Sequence, residues 1–551
     1  MTKKPTTKDL RNITMGSYGN ESYYGTIDLG GQFDENNIFG YRVNALYQNG
    51  ELPNESEKDQ KAISLVFDYK PTDKFYTDIK YFFKDTLTKG ANTYFITWNS
   101  GFDRSSIKKN KNYNPNWIES DIKSNKFENN IKWDINDIFT LRTNIFYEKI
   151  KHKGDDSRIL YQDNKLVIDP STSWNTSLFY KGAWQETKNY GANLFLDSKF
   201  DTGNVNHILS MGYTYSSSKN FTHSDGWSYY IPSNDMSLDE FKNFKEPDSS
   251  LWSSTLGTQP LKPSSKIQYK NILIGDDIVF NDQWSALVGV NYATTINKSY
   301  MANTKYDKSE LTPTLSLVYK PFENLTTYTT YIESLEAGTI VGSRFANENE
   351  ILDPYKSTQY EIGVKYSMLD ERALLTASLF RIEKANSYED TSSVASLGKP
   401  TLTQDGEQIH QGIELGVTGK ITDNLTLMGG LTLMDLSLKK HTNPNLEGKK
   451  PTEASTKMGK LYAEYNIPYI QGLTITGGAY YTGKRYYNSL NTDIMPSYTL
   501  YDAGLRYKTK IDKYPTTFNL NVQNITDEVY WIEGTMLGDP RSVAFSMKME
   551  F

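Results

Sequence analysis

From Val543 to its final residue the chain alternates without interruption. Val543, Phe545, Met547, Met549 and Phe551 fall on one side; Ala544, Ser546, Lys548 and Glu550 fall on the other. A β-strand sends successive side chains to opposite faces, so a period of two predicts a strand with one apolar and one polar face. The same pattern recurs along the chain. Phe75, Thr77, Ile79, Tyr81 and Phe83 alternate with Tyr76, Asp78, Lys80 and Phe82. Ile63, Leu65, Phe67 and Tyr69 enclose Ser64, Val66 and Asp68, and Tyr501, Ala503, Leu505 and Tyr507 enclose Asp502, Gly504 and Arg506.

About 22 such segments can be placed, each of roughly 9–13 residues, a length that suits a tilted strand crossing a bilayer. The predicted cores are 10–18, 22–32, 38–49, 60–70, 74–85, 124–134, 138–150, 185–200, 204–218, 265–280, 283–296, 309–320, 324–334, 355–369, 371–386, 407–421, 423–437, 452–466, 470–485, 497–508, 514–525 and 541–551. Short turns such as Pro71-Thr72-Asp73, Asn281-Asp282, Pro321-Phe322-Glu323 and Thr422-Asp423 alternate with long polar stretches at about 86–123, 219–264, 335–354, 387–406 and 438–451. Unequal rims describe an all-β, antiparallel, up-and-down transmembrane barrel, with short periplasmic turns and long extracellular loops. In hydrocarbon every backbone N–H and C=O must be paired, so strands span only as a ring without edges. A large soluble β protein is the competing architecture, but no fixed repeat period supports a propeller or solenoid.

Composition agrees with this reading. Only 37% of the 551 residues are hydrophobic, and no run approaches the roughly 18 apolar residues a spanning helix requires. The 41 tyrosines suit aromatic girdles at two membrane interfaces. A net charge of -6 from 60 basic and 66 acidic residues gives no reason to expect nucleic acid. With no cysteine there is no thiol catalysis, disulfide or cysteine-ligated metal. The opening MTKKPTTKDLRNITMGSYG has the charge of an export signal without its apolar stretch, so the chain is expected to be either cytoplasmic or trimmed.

Catalytic signatures are missing. GAYYTGK (478–484) falls short of a phosphate-binding loop, because Arg485 follows where Ser or Thr is required and a strand surrounds it. His152, His207, His223, His410 and His441 show no metal-ligand spacing, and no GxSxG elbow occurs. No enzyme activity, resident metal or covalent cofactor is expected. The long stretches are richer. Tyr94, Trp98, Phe102, Arg104 and Trp117 fall in one, Trp227, Tyr229, Tyr230 and Trp252 in another, and Trp531 precedes the last strand. Aromatic faces with a few cations bind bulky, partly apolar, often anionic ligands, and equally serve as interface anchors or loop packing.

Longer stretches carry a family resemblance. LTPTLSLVYKPFENLTTYTTYIESLEAG (311–338), ILDPYKSTQYEIGVKY (351–366), ALLTASLFRIEKAN (373–386), GEQIHQGIELGVTGKITDNLTLMGG (406–430) and the closing NLNVQNITDEVYW…LGDPRSVAFSMKMEF (519–551) resemble, in that order, the barrel hairpins of TonB-dependent siderophore receptors. TKKPT (2–6) is similar to the end of the family's plug domain, and GSYGNESYYGTIDLGG (16–31) to its first barrel hairpin. The resemblance implies a plug remnant at 1–9 and a barrel at 10–551, without the signal peptide, TonB box and nearly all of the plug. It implies a monomer in the Gram-negative outer membrane that binds a ferric siderophore, with iron present only as part of that ligand. Uptake would be driven by the TonB complex if the missing plug and box were supplied, and Phe551 would be read by the assembly machinery. Haem, cobalamin or another chelate is an alternative cargo, and a plugless passive channel or truncated-gene remnant an alternative of another class. Asn443-Pro444-Asn445-Leu446 spells the box of haem receptors but lies away from the family's position for it, near 347–354; His441 beside it keeps haem open.

Overall fold

A computed structural model describes residues 3–90, 93–96, 102–162, 165–167, 177–390, 398–441 and 443–551. Its dominant feature is a single closed sheet of 22 strands. In chain order the first eleven are Leu10–Gly19, Ser22–Gln32, Phe39–Glu51, Glu57–Thr72, Phe75–Lys89, Glu119–Asp134, Phe139–Gly154, Gln185–Thr202, Val205–Thr222, Lys262–Val279 and Trp284–Ser299. The second eleven are Thr304–Phe322, Leu325–Glu336, Tyr355–Met368, Ala373–Asp390, Thr401–Lys420, Leu425–Lys440, Lys457–Asn466, Leu473–Thr482, Tyr498–Ile511, Tyr514–Gln523 and Ser542–Glu550. Each pairs antiparallel with its neighbours in sequence. The last strand closes on the first, with Asn12 opposite Glu550 and Ser17 opposite Phe545.

The alternation sorts side chains between two solvents. Leu194, Tyr213, Ile272, Tyr292 and Leu311 are direct cross-strand partners along five strands, and all five are exposed on the outer wall. Lipid takes up that surface, since an exposed apolar band of this extent has no place in water. The inner wall is polar. Arg42 makes a bidentate pair with Asp28 at 2.6 and 2.8 Å, and Lys80 lies 3.0 Å from Glu128 and 3.5 Å from Asp78. Stacked rings mark the periplasmic end of the outer wall: Phe39 with Tyr69 at 4.8 Å, and Trp284 with Tyr319 at 4.3 Å.

Every predicted segment corresponds to one strand, but many strands run farther. The core placed at 407–421 belongs to Thr401–Lys420, and that at 371–386 to Ala373–Asp390. The added residues lie at the extracellular ends, where both faces meet water. Backbone pairing continues there, while the apolar–polar alternation that marks a strand in sequence has no reason to.

Connections on the periplasmic side are short, the longest being 33–38 and 467–472. On the extracellular side, 90–118, 155–184 and 223–261 are long, but 20–21, 52–56 and 300–303 are as short as turns. The rims are therefore less uniform than expected. The 90–118 and 223–261 connections both reach the short 52–56 connection: the Asn112 amide donates to the Asn54 carbonyl at 2.8 Å, and Lys242 reaches the Glu55 carbonyl at 3.4 Å. Residues 3–9 lie along the inner wall, with Lys3 2.7 Å from Asp28 and Lys4 over the Tyr76 ring.

Candidate functional site

The extracellular connections fold into a small domain of their own. Trp227–Tyr230, Leu178–Gly182, Asp156–Ile159 and Tyr94–Phe95 form a four-stranded sheet drawn from three separate connections, the last pair being parallel. Period two again divides the side chains.

One face is buried. Phe95, Ile159 and Phe179 lie on it, and Phe179 stacks on Phe241 at 4.6 Å and Phe244 at 5.2 Å. Phe241 is delivered by a one-turn helix, Leu238–Lys242, whose start is fixed by reciprocal hydrogen bonds between Ser237 and Glu240. Trp117 packs 4.9 Å from Phe179 and 6.1 Å from Trp252, and Tyr230 lies 6.1 Å from Trp252. Trp531 meets Phe95 at 5.4 Å and Phe102 at 5.6 Å, both edge-on. Phe102, Trp117, Tyr230, Trp252 and Trp531 therefore form the core of the loop domain.

Arg104 pins this core to the far side of the rim. Its guanidinium lies between the rings of Phe102, Tyr487 and Trp531 at 5.5–5.7 Å from each centroid. It pairs with Asp493 and donates to the Gly534 carbonyl at 2.9 Å. Asn110 adds donor bonds to the carbonyls of Glu528 at 2.5 Å and Asp539 at 3.3 Å. The 90–118 connection is thus bound to the connections 483–497 and 524–541.

The other face of the small sheet is open. Tyr94 is 41% exposed, Trp227 54% and Tyr229 58%. Register places Tyr180 between Tyr229 and Asp156, and Arg158 beside Tyr94, all on this face. The Arg158 guanidinium lies 5.1 Å from the Tyr180 ring, and Trp227 meets Tyr180 edge-on at 6.4 Å. Burial pushes the Asp156 carboxyl up to about 6, against the opposing pull of the Ser157 amide and Arg158. Burial and the nearby charges of Asp156 and Glu533 hold the Tyr94 phenol above its usual range, so it stays neutral and able to donate. The face combines four large rings, one fixed cation and one acid that titrates near neutrality.

Of the expected site residues, Tyr94, Trp227 and Tyr229 are brought together on this open face, while Trp98 lies outside the described residues. Asp156, Arg158 and Tyr180 complete the face and come from 155–184, a connection not singled out from sequence. Its signal was present: Tyr161, Trp174, Phe179 and Tyr180 with Arg158 and Lys181 match the aromatic-plus-cation composition of the other two. Below the loops, a lumen cavity of about 700 Å³ opens among Lys3, Asp28, Asn44, Lys84, Lys126 and Glu148. No group of three or more metal-ligating side chains occurs among the described residues.

Residues 68–525 match the family described as TonB dependent receptor-like, beta-barrel. The chain belongs to this family. It is therefore an integral barrel of the Gram-negative outer membrane, and its family consists of receptors and transporters. Among similar proteins, the ferrichrome receptor FcuA of Yersinia enterocolitica is 24% identical, covering 98% of this chain and 71% of its own. A probable TonB-dependent siderophore receptor of Acinetobacter baumannii, PiuA, is 26% identical over 92% of this chain and 72% of its own. The crystal structure of BauA, the ferric preacinetobactin receptor of A. baumannii, superposes with a TM-score of 0.85 at 25% identity, covering all of this chain and 81% of that one.

Proposed function

We propose that this TonB-dependent receptor barrel captures a ferric siderophore at its extracellular loops and passes it through the lumen. The carrying observation is the open face of the loop sheet, where Tyr94 and Tyr180 flank Arg158 and Trp227 and Tyr229 lie beside Tyr180. Such a face suits a bulky, partly aromatic chelate with negative charge: rings stack, and the guanidinium attracts the anion from a partly desolvated position. The names of the relatives, receptors for ferrichrome and ferric preacinetobactin, point to the same cargo class. Iron enters as cargo, inside the ligand. The chemistry is binding and gated passage, with no bond made or broken in the ligand.

Two tiers of residues serve this function. Tyr94, Trp227 and Tyr229 contact the ligand with Tyr180 and Arg158. Phe102, Arg104, Trp117, Tyr230, Trp252 and Trp531 act through packing, by holding the three connections in one domain. Energy comes from the TonB complex through a plug carrying the TonB box. Phe551, exposed and 4.9 Å from Tyr514, presents the terminal aromatic to the assembly machinery.

The test is titration of a panel of ferric siderophores against the chain in detergent micelles, followed by tryptophan fluorescence. A Tyr94→Ala, Trp227→Ala, Tyr229→Ala variant is expected to bind at least a hundredfold more weakly, at about 1–2 kcal/mol per ring. Its heat-modifiable gel mobility should stay that of a folded barrel. Equal affinity in the variant and the parent removes the site from the open face.

A further inference from the structure

The two edges of the loop sheet are finished differently. On the Tyr94–Phe95 side, the Phe95 N–H donates to the Thr535 carbonyl at 2.9 Å, so the 524–541 connection closes that edge. Trp227–Tyr230 forms the other edge and pairs with Leu178–Gly182 alone. The direction of its backbone follows from the next pair along. The Ala183 N–H donates to the Gly226 carbonyl at 2.9 Å, and the register continues unbroken into Gly182 opposite Trp227 and Lys181 opposite Ser228. In an antiparallel ladder hydrogen-bonded pairs alternate with non-bonded ones. Ser228 and Tyr230 therefore turn their N–H and C=O groups into the sheet, and Trp227 and Tyr229 turn theirs out. The Gly182 N–H agrees, since it points away from this strand to the Asp155 carboxylate at 3.2 Å.

Among the described residues nothing bonds the outward N–H and C=O groups of Trp227 and Tyr229. Folded proteins guard a free edge with charge, proline or a bulge. This strand, WSYY, has no charge and no proline, and its register runs without a bulge. The free backbone belongs to the same two residues whose rings are exposed on the open face. Directly opposed residues in a sheet share a face. A strand added here would therefore send alternate side chains onto the face that carries Tyr180 and Arg158.

We propose that the Trp227–Tyr230 edge takes an extended peptide segment of the ligand as a fifth strand of the loop sheet, so that the cargo is a ferric chelate carrying a linear peptide. The proposal rests on the siderophore reading of the open face and names the class of chelate. Two N–H and two C=O groups, on residues about 7 Å apart, match positions i and i+2 of a strand and set the segment at three residues or more. A chelate without a peptide meets the rings and the guanidinium but makes none of these bonds.

Three probes test this: a ferric tricatecholate alone, the same chelate joined to a linear five-residue peptide of serine and threonine, and that conjugate with every peptide amide N-methylated. Binding to the full chain in detergent micelles is followed by tryptophan fluorescence. At several-fold per hydrogen bond, the peptide conjugate should bind at least about tenfold more tightly than either other probe. Tyr229→Pro removes one outward N–H at a position where an edge strand tolerates proline, and should cut that preference to about threefold or less. Tyr229→Ala loses the same ring but keeps the N–H, and should retain the preference. A preference that survives Tyr229→Pro, or that Tyr229→Ala loses as well, overturns the proposal. Equal affinity of the parent for all three probes also overturns it, while leaving the rings and guanidinium as the site. Failure of all three to bind overturns the siderophore reading together with it. A dimer in micelles that Tyr229→Pro dissolves gives the edge to a second copy of the chain, against the proposal.

Discussion

Arg104 offers the sharpest test of how the loop domain is held. Its side chain is 6% exposed and that of its partner Asp493 21%, so substitution by Ala leaves a largely desolvated carboxylate without its cation. Removing one member of a buried pair costs about 3–5 kcal/mol, and the residual exposure of Asp493 places this case near the lower bound. The Gly534 carbonyl and three ring faces lose their partner as well. A loss of about 3 kcal/mol corresponds to about a hundredfold rise in the open population of the 90–118 connection. Hydrogen exchange reads this directly. The Phe95 amide, bonded to the Thr535 carbonyl at 2.9 Å, and the Ile96 amide, bonded to the Ile159 carbonyl at 2.7 Å, should lose about two decades of protection in Arg104→Ala. Amides of the strand Gln185–Thr202 should be unchanged, because the barrel does not depend on the clamp. Asp493→Asn should fall between, keeping a neutral acceptor for Arg104. Protection within twofold of the parent in Arg104→Ala would refute the clamp.

Three further outcomes follow from the same structure. Phe179→Ala removes a fully buried ring from the stack on Phe241 and Phe244, and should destabilise the loop domain by about 3–5 kcal/mol, read as protease cleavage in 155–184 and 223–261 with the barrel intact. Asp156 gives a pH dependence. Its carboxyl is raised to about 6, above the ordinary value, so ionisation opposes the folded loop sheet, which is most stable below pH 4 and weakens as pH rises through about 6. An anionic ligand beside Arg158 should bind several-fold more tightly at pH 5 than at pH 7, and Asp156→Asn should bind at pH 7 as the parent does at pH 5; an unaltered profile refutes this. Gly472, at φ +85°, ends a periplasmic turn where an added Cβ would lie 2.0 Å from the Lys508 carbonyl oxygen, so Gly472→Ala should lower the folded fraction seen by heat-modifiable gel mobility.

The barrel was legible because lipid imposes one rule on every strand. A side chain such as Ile79 or Phe545 meets hydrocarbon, its neighbours Lys80 or Ser546 face the polar inner wall, and the contrast survives even at low mean hydropathy. Where that contrast ends, the sequence reading ends too. Thr401–Gly406 and Thr304–Lys308 are paired strands in the structure, yet their residues carry no apolar–polar alternation, and they read as loop. The short extracellular connection 52–56 follows from a different cause. It is touched by the 90–118 and 223–261 connections through Asn112 and Lys242, a tertiary contact between segments far apart in sequence that no local pattern encodes.

The candidate site was legible by composition and not by role, for a physical reason. An aromatic residue in a loop has two ways to leave water: it packs on another loop, or it waits for a ligand, and the amino acid is the same in both cases. Period two decides between them only once the loops are known to be strands. In Trp227–Tyr230 the alternation sends Trp227 and Tyr229 outward and Ser228 and Tyr230 inward. In Tyr94–Phe95 it separates an exposed Tyr94 from a buried Phe95. Adjacent rings thus have opposite tasks, and the buried set is what allows the open set to be rigid. Three connections that each carry too little apolar surface to fold alone bury Phe95, Phe179, Phe241 and Trp252 together, and so hold Tyr94, Tyr180, Trp227 and Tyr229 at fixed positions on one face. Preorganisation of this kind lowers the ordering cost of binding a scarce ligand. Trp252→Ala should therefore weaken ligand binding without touching the ligand, and a cross-link that fastens 223–261 to 155–184 should restore it. The same cross-link should do nothing for Trp227→Ala, whose ring belongs to the contact itself.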